Sequence, residues 1–123
     1  MAGEVSITRS KNGWFRIDEA VFIDYDSGET ADVFEGEGLV SGRLFGLGLN
    51  DADLHTAPSV ESPVMAHLFR EDAAGNLSGA DSFNVARLIS CQADWVQVDG
   101  TFLGTHLTGW ATRTCSNQVT TCP

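Results

Sequence analysis

Apolar residues in this chain come in short bursts, and within a burst the bulky positions recur at every second residue rather than every third or fourth. Val96 and Val98 are one example, Leu88 with Ser90 and Trp110 with Thr112 others. That period suits a pleated strand, and no i, i+3, i+4, i+7 pattern persists for three helical turns. The predicted class is therefore all-β. The clearest stretch runs from Leu88 to Cys115. A strand-like LISCQADWVQV is followed by a polar connector GTFLGTHLT and a second strand-like GWATRTC, a hairpin with Trp95 and Trp110 marking its arms.

In chain order, VSITRSKNGWFRI (5–17) predicts a strand, a turn at Asn12-Gly13 and a second strand, Asn-Gly being the strongest short hairpin signal. AVFIDY (20–25) continues as extended chain. The acidic run SGETADVFEGEG (27–38) reads as a loop or an irregular hairpin tip. GLVSGRLFGLGL (38–49) is apolar and glycine-dense, which predicts close backbone approach and a crossing between sheet regions. Pro58 and Pro63 frame an exposed loop, Pro63 to Leu68 is the next strand, and residues 70–81 form a polar loop. Phe83 to Leu88 then leads into the hairpin. The tail after Cys115 offers only Val119 to a core.

With 123 residues, thirteen Gly and three Pro, the chain suffices for one ordinary core or two very small ones. No apolar run reaches the roughly 18 to 20 residues that span a bilayer, so no membrane insertion is expected. The start MAGEVSITRS lacks the regions of a signal peptide, and any leader would have to be absent from this sequence. Seventeen acids against seven bases give a net charge of −10, which repels phosphate backbones and argues against a nucleic-acid partner. Three cysteines predict one disulfide and a leftover thiol, hence an oxidising compartment, secreted or periplasmic. If Trp95 faces Ala111, the same register sets Cys91 opposite Cys115. A Cys115 to Cys122 bridge is the alternative.

The chain also echoes itself. SKNGWFRI (10–17) overlies CQADWVQV (91–98), with Trp14 on Trp95, Phe15 on Val96 and Ile17 on Val98. GLVSGRL (38–44) overlies GWATRTC (109–115). Two copies of one small β unit follow. The second copy carries Leu54 with Ala57-Pro58-Ser59, Pro63-Val64 with Leu68, Trp95-Val96-Gln97-Val98, and Gly109-Trp110. On these motifs it resembles, over about residues 49–115, the bacterial Src-homology-3-like (SH3b) domains. It departs from that family at His55-Thr56-Ala57 and in its lengthened 70–81 loop. The resemblance implies small SH3-like β-barrels in tandem. Residues 1–48 would form a partial unit with an acidic hairpin insertion, and residues 49–123 a barrel with a Cys-containing tail. A half-barrel leaves strand edges open to pairing.

Candidate sites are few. Eight acids and no base lie between Asp18 and Glu37; among them Asp24, Asp26, Glu29 and Glu35 are spaced as oxygen ligands for calcium, without an EF-hand glycine or helical flanks. Otherwise no cofactor is expected. His55, His67 and His106 are too scattered to predict a zinc or catalytic centre, and no nucleophile elbow, phosphate loop or zincin motif occurs. The three tryptophans are expected in the core. Tyr25, His55, Phe69, Phe102 and His106 fall where loop residues of an SH3-like fold line a shallow groove. The expected function is thus a non-enzymatic, exported binding module, with a cell-wall peptide, glycan or protein ligand implied by the resemblance. The alternative is a structural subunit assembling into an oligomer or filament through exposed β edges.

Overall fold

The computed structural model describes residues 2–24, 26–44, 49, 52–112 and 118–120. The first half contains β1 (Ala2–Lys11), β2 (Trp14–Ile23), β3 (Thr30–Ser41) and a 3-10 turn at Gly42–Leu44. Next come β4 (Asp53–His55), β5 (Val64–His67), the two-residue strands β6 (Arg70–Glu71) and β7 (Leu77–Ser78), and a second 3-10 turn at Ala80–Ser82. β8 (Phe83–Gln92), β9 (Trp95–Phe102), β10 (Thr105–Ala111) and β11 (Gln118–Thr120) complete the order. The protein is all-β, and no helix among the described residues is long and apolar enough to cross a membrane. One sheet has the order β11-β1-β2-β3, a second β5-β4-β10-β9-β8, and β6 pairs with β7 alone; none of the three closes into a barrel.

Asn12 (φ 54°) and Gly13 (φ 80°) make the turn between β1 and β2, the left-handed pair that a two-residue hairpin favours. The second turn is less legible. Leu88 to Val98 is not one arm, because the chain reverses through Ala93 and Asp94, with Ala93 at φ 52°. The cysteine register argument fails with it. Val96, not Trp95, faces Ala111, and Cys91 lies on β8 opposite Val96. Cys91, Val96 and Ala111 thus form one buried row.

The internal echo is reproduced rung for rung. Ile7 faces Ile17 as Leu88 faces Val98, Ser10 faces Phe15 as Cys91 faces Val96, and Lys11 faces Trp14 as Gln92 faces Trp95. A bulge falls at the same step in both, around Thr8 and around Ile89. The third strands agree too: Ile17 pairs with Gly38 and Phe15 with Val40, as Val98 pairs with Gly109 and Val96 with Ala111. The chain therefore contains two three-strand meanders, β1-β2-β3 and β8-β9-β10.

Their inward faces share one core. Ile7, Phe15 and Ile17 from the first meander cluster with Leu88, Val96 and Val98 from the second, joined by Leu49, Leu54 and Leu68. At the crossing, the Cys91 amide donates to Ser10 Oγ (3.0 Å), and Ser90 Oγ lies 3.3 Å from the same oxygen.

Two expectations about the first half change. The acidic run is mostly strand, since β3 begins at Thr30 and only Asp24 to Glu29 turn. β2 continues to Ile23 and needs a partner for its ladder, and carboxylates are at home on an edge strand. The outer edge of β1 is also not bare: β11 from the tail pairs with it in parallel, Val5 to Ile7 against Gln118 to Thr120. The strand at the opposite border of that sheet, β3, has no outer neighbour among the described residues.

Candidate binding face around Trp14

In β2 the side chains alternate across the sheet. Phe15 and Ile17 enter the core, so Trp14 and Arg16 point away from it. The same alternation in β9 buries Val96 and Val98 and turns Trp95 and Gln97 outward. The two outward tryptophans have different fates: Trp95 is 7% exposed and Trp14 52%. The expectation that all three tryptophans are core is therefore corrected at Trp14, and Trp110 is only half-buried.

The cause lies in β4, which runs beside β10 with His55 opposite Trp110. His55 is buried, and its ring meets Trp95 edge-on, centroids 5.2 Å apart at 82°. Its Nδ1 lies 3.0 Å from the Ser62 carbonyl and 3.3 Å from Ser62 Oγ, which fixes the ring. The first meander has no such strand beside β3 among the described residues. Leu39, the counterpart of Trp110, is accordingly 70% exposed.

Trp14 divides two hollows. One, of about 680 Å³, lies between the meanders and is bordered by Asn12, Trp14, Ser41, Arg43, Arg87 and Ser90. The other, about 340 Å³ and mostly apolar, is bordered by Arg9, Lys11, Trp14, Arg16 and Leu39. Five of the chain's seven bases therefore surround one tryptophan in a protein of net charge −10. Arg16 is paired with Glu37 and Arg87 with Asp99. Arg9, Lys11 and Arg43 make no ion pair among the described residues, which leaves their charge for a ligand.

The residues singled out from sequence do not gather here. His55 is part of the Trp95 cover. Phe69 is exposed beyond β5, near His67, whose Nδ1 is 2.6 Å from Asp53 Oδ1. Phe102 packs half-buried at the end of β9, and His106 is exposed near the start of β10. Tyr25, Cys115 and Cys122 lie outside the described residues. Asp24, Asp26 and Glu29 share the β2–β3 turn, where the Asp24 carboxylate accepts the Asp26 amide (3.0 Å), while Glu35 sits along β3 opposite Glu19. No group of three or more His, Cys, Asp or Glu among the described residues is placed to hold a metal. Trp14 and Leu39 were missed as site residues. The available signal was the repeat, which aligns them with Trp95 and Trp110 but supplies no counterpart to Leu54-His55.

No family model, curated protein or solved structure matches the chain.

One polar cluster sets a pH dependence. Asp99 Oδ1 accepts from the Thr108 hydroxyl (2.7 Å) and lies 2.5 Å from His106 Nε2, and Oδ2 accepts from Arg87 Nε (3.3 Å). The Thr108 bond is the main reason this carboxyl titrates below its ordinary value; burial opposes it, and His106 and Arg87 add to it. Asp72 is lowered too, chiefly by the Asn76 amide. A depressed carboxylate stabilises the fold above its unfolded pKa, and that contribution is lost as pH falls through its folded pKa. Stability is thus expected to fall from about pH 4 downward. Asp99→Asn should make that acid-side loss shallower without abolishing it, since Asp72 acts in the same sense. Urea midpoints measured across the acid range give the comparison.

Proposed function

We propose that this chain is a non-enzymatic binding module that takes an extended polypeptide segment along the outer edge of β3, over Trp14 and Leu39. The observation that carries this reading is the contrast between the two meanders. Where the second has β4 alongside β10 with His55 against Trp95, the first offers an edge without an outer neighbour among the described residues and a half-exposed indole. An added strand would make backbone hydrogen bonds to β3, as in β-augmentation, and its outward side chains would cover Trp14 and Leu39. Arg9, Lys11 and Arg43 favour acidic residues in that segment.

Export and a cell-wall setting belong to the same proposal. Their support is the SH3b motifs at Leu54, Pro63-Val64, Trp95 and Gly109-Trp110, together with the disulfide that three cysteines lead one to expect, for which Cys91 is a candidate. Cys115 or Cys122 would be its partner, and mass spectrometry of the unreduced peptides would assign which.

The probe is a short synthetic glutamate-valine peptide in which every second residue, the face laid over Trp14, is valine and glutamate in turn. It should bind the wild type and shift the emission of Trp14, and Trp14→Ala should weaken binding about tenfold or more, as loss of an aromatic anchor does. Equal affinity for wild type and Trp14→Ala would refute the site.

A further inference from the structure

We infer that the occupant of the β3 edge is a second copy of this chain, docking through the outer edge of its β5; this rests on the reading of β3 as a binding edge. β5 borders the second sheet as β3 borders the first, with no outer neighbour among the described residues. It is four residues long, the length of the uncharged segment Gly38 to Ser41 beside Trp14. Both edges end in an exposed apolar side chain at the same level of the repeat. In the second sheet one row runs Gln97, Trp110, His55 and Val64, with Val64 49% exposed. In the first, the equivalent row stops at Arg16 and Leu39.

Charge agrees with this pairing. β5 lies within the stretch 52–81, which carries Asp53, Glu61, Glu71, Asp72 and Asp81 against the single base Arg70; of these, Asp53 pairs with His67 of β5. Around the β3 end stand Arg9, Lys11 and Arg43, beside Arg16 paired with Glu37. The two surfaces differ, so the contact is heterologous: each copy uses β3 on one side and β5 on the other, and assembly proceeds head to tail.

Sedimentation velocity on the wild-type chain over a wide concentration range should show mass growing past the dimer. Leu39→Glu and Val64→Glu, both at exposed positions, should melt like the wild type. Each should weaken self-association at least tenfold. Mixed in equal amounts they should form a heterodimer and nothing larger, because the mixture retains one intact β3 and one intact β5 that can meet. A wild type that stays monomeric overturns the inference, as does a mixture that fails to pair or a single variant that still assembles. The glutamate-valine peptide separates the two levels. A monomeric wild type that binds it at Trp14 refutes the second-copy partner and leaves the edge reading standing; a monomer that does not bind it refutes both.

Discussion

Gly42→Ala is expected to cost about 3 kcal/mol or more, the upper range for forcing an atom into a packed interior. A Cβ at Gly42 would overlap the carbonyl oxygen of Leu88 and stand 2.9 Å from the Phe15 ring. Neither neighbour can give way. Leu88 is held in the β8–β9 ladder opposite Val98, and Phe15 is fully buried. The Gly42 amide also donates to the Gly13 carbonyl (2.8 Å), so the turn cannot slide outward without losing that bond. This is the point where the first meander leans on the second, and the substitution presses directly on that contact. Gly28→Ala is the control. Its Cβ would meet nothing within 4 Å, and its φ of +74° carries only the left-handed penalty of about 1 kcal/mol. Urea denaturation of both variants should separate them clearly.

Phe15→Ala should cost about 3–5 kcal/mol, the range for emptying a buried aromatic site. Phe15 is the largest fully buried side chain among the described residues and belongs to the cluster that joins the two meanders. A small domain holds only about 5–15 kcal/mol in total, so this change brings the chain near its unfolding threshold. Its neighbour offers the contrast. Trp14→Ala removes a larger side chain from the outward face, and it should cost little stability because half of that indole is already in water. Opposite effects at adjacent residues, on stability at Phe15 and on ligand binding at Trp14, would verify the facing of β2. Comparable destabilisation by the two substitutions would contradict it.

How much was legible in the sequence depended on whether a local residue or a distant one decided the outcome. Asn12-Gly13 announced its turn because few residues other than Asn and Gly readily take two consecutive positive φ values. Ala93 does the same job at φ 52° without any such mark, so β8 and β9 read as one arm and the cysteine register came out wrong. The alternation through Phe15-Ile17 and Val96-Val98 showed strands, and the repeat matched the two meanders, but which face turned inward and which residues paired across β9 and β10 depended on contacts that local sequence does not carry. Composition misjudged the acidic run, because charges that suggest a loop also suit an edge strand. β11 was invisible, three residues pairing with a segment more than a hundred positions away. The candidate site was hidden for the same reason. Trp14 and Trp95 have matching local sequence, and only β4, which follows the first meander yet packs beside the last strand of the second, distinguishes a covered indole from an open one.

On the proposed reading, β3, the border strand of the first sheet among the described residues, receives another strand at its outer edge. Backbone amide exchange across Gly38 to Ser41 tests it most directly, measured with and without saturating glutamate-valine peptide on a sample diluted to monomer. An added strand takes up the outward-pointing backbone groups along this edge, so protection at those amides is predicted to rise at least tenfold, together with burial of the Trp14 indole. Exchange across Gly38 to Ser41 that is unchanged by the peptide, or protection appearing instead along β5 or β8, would contradict it.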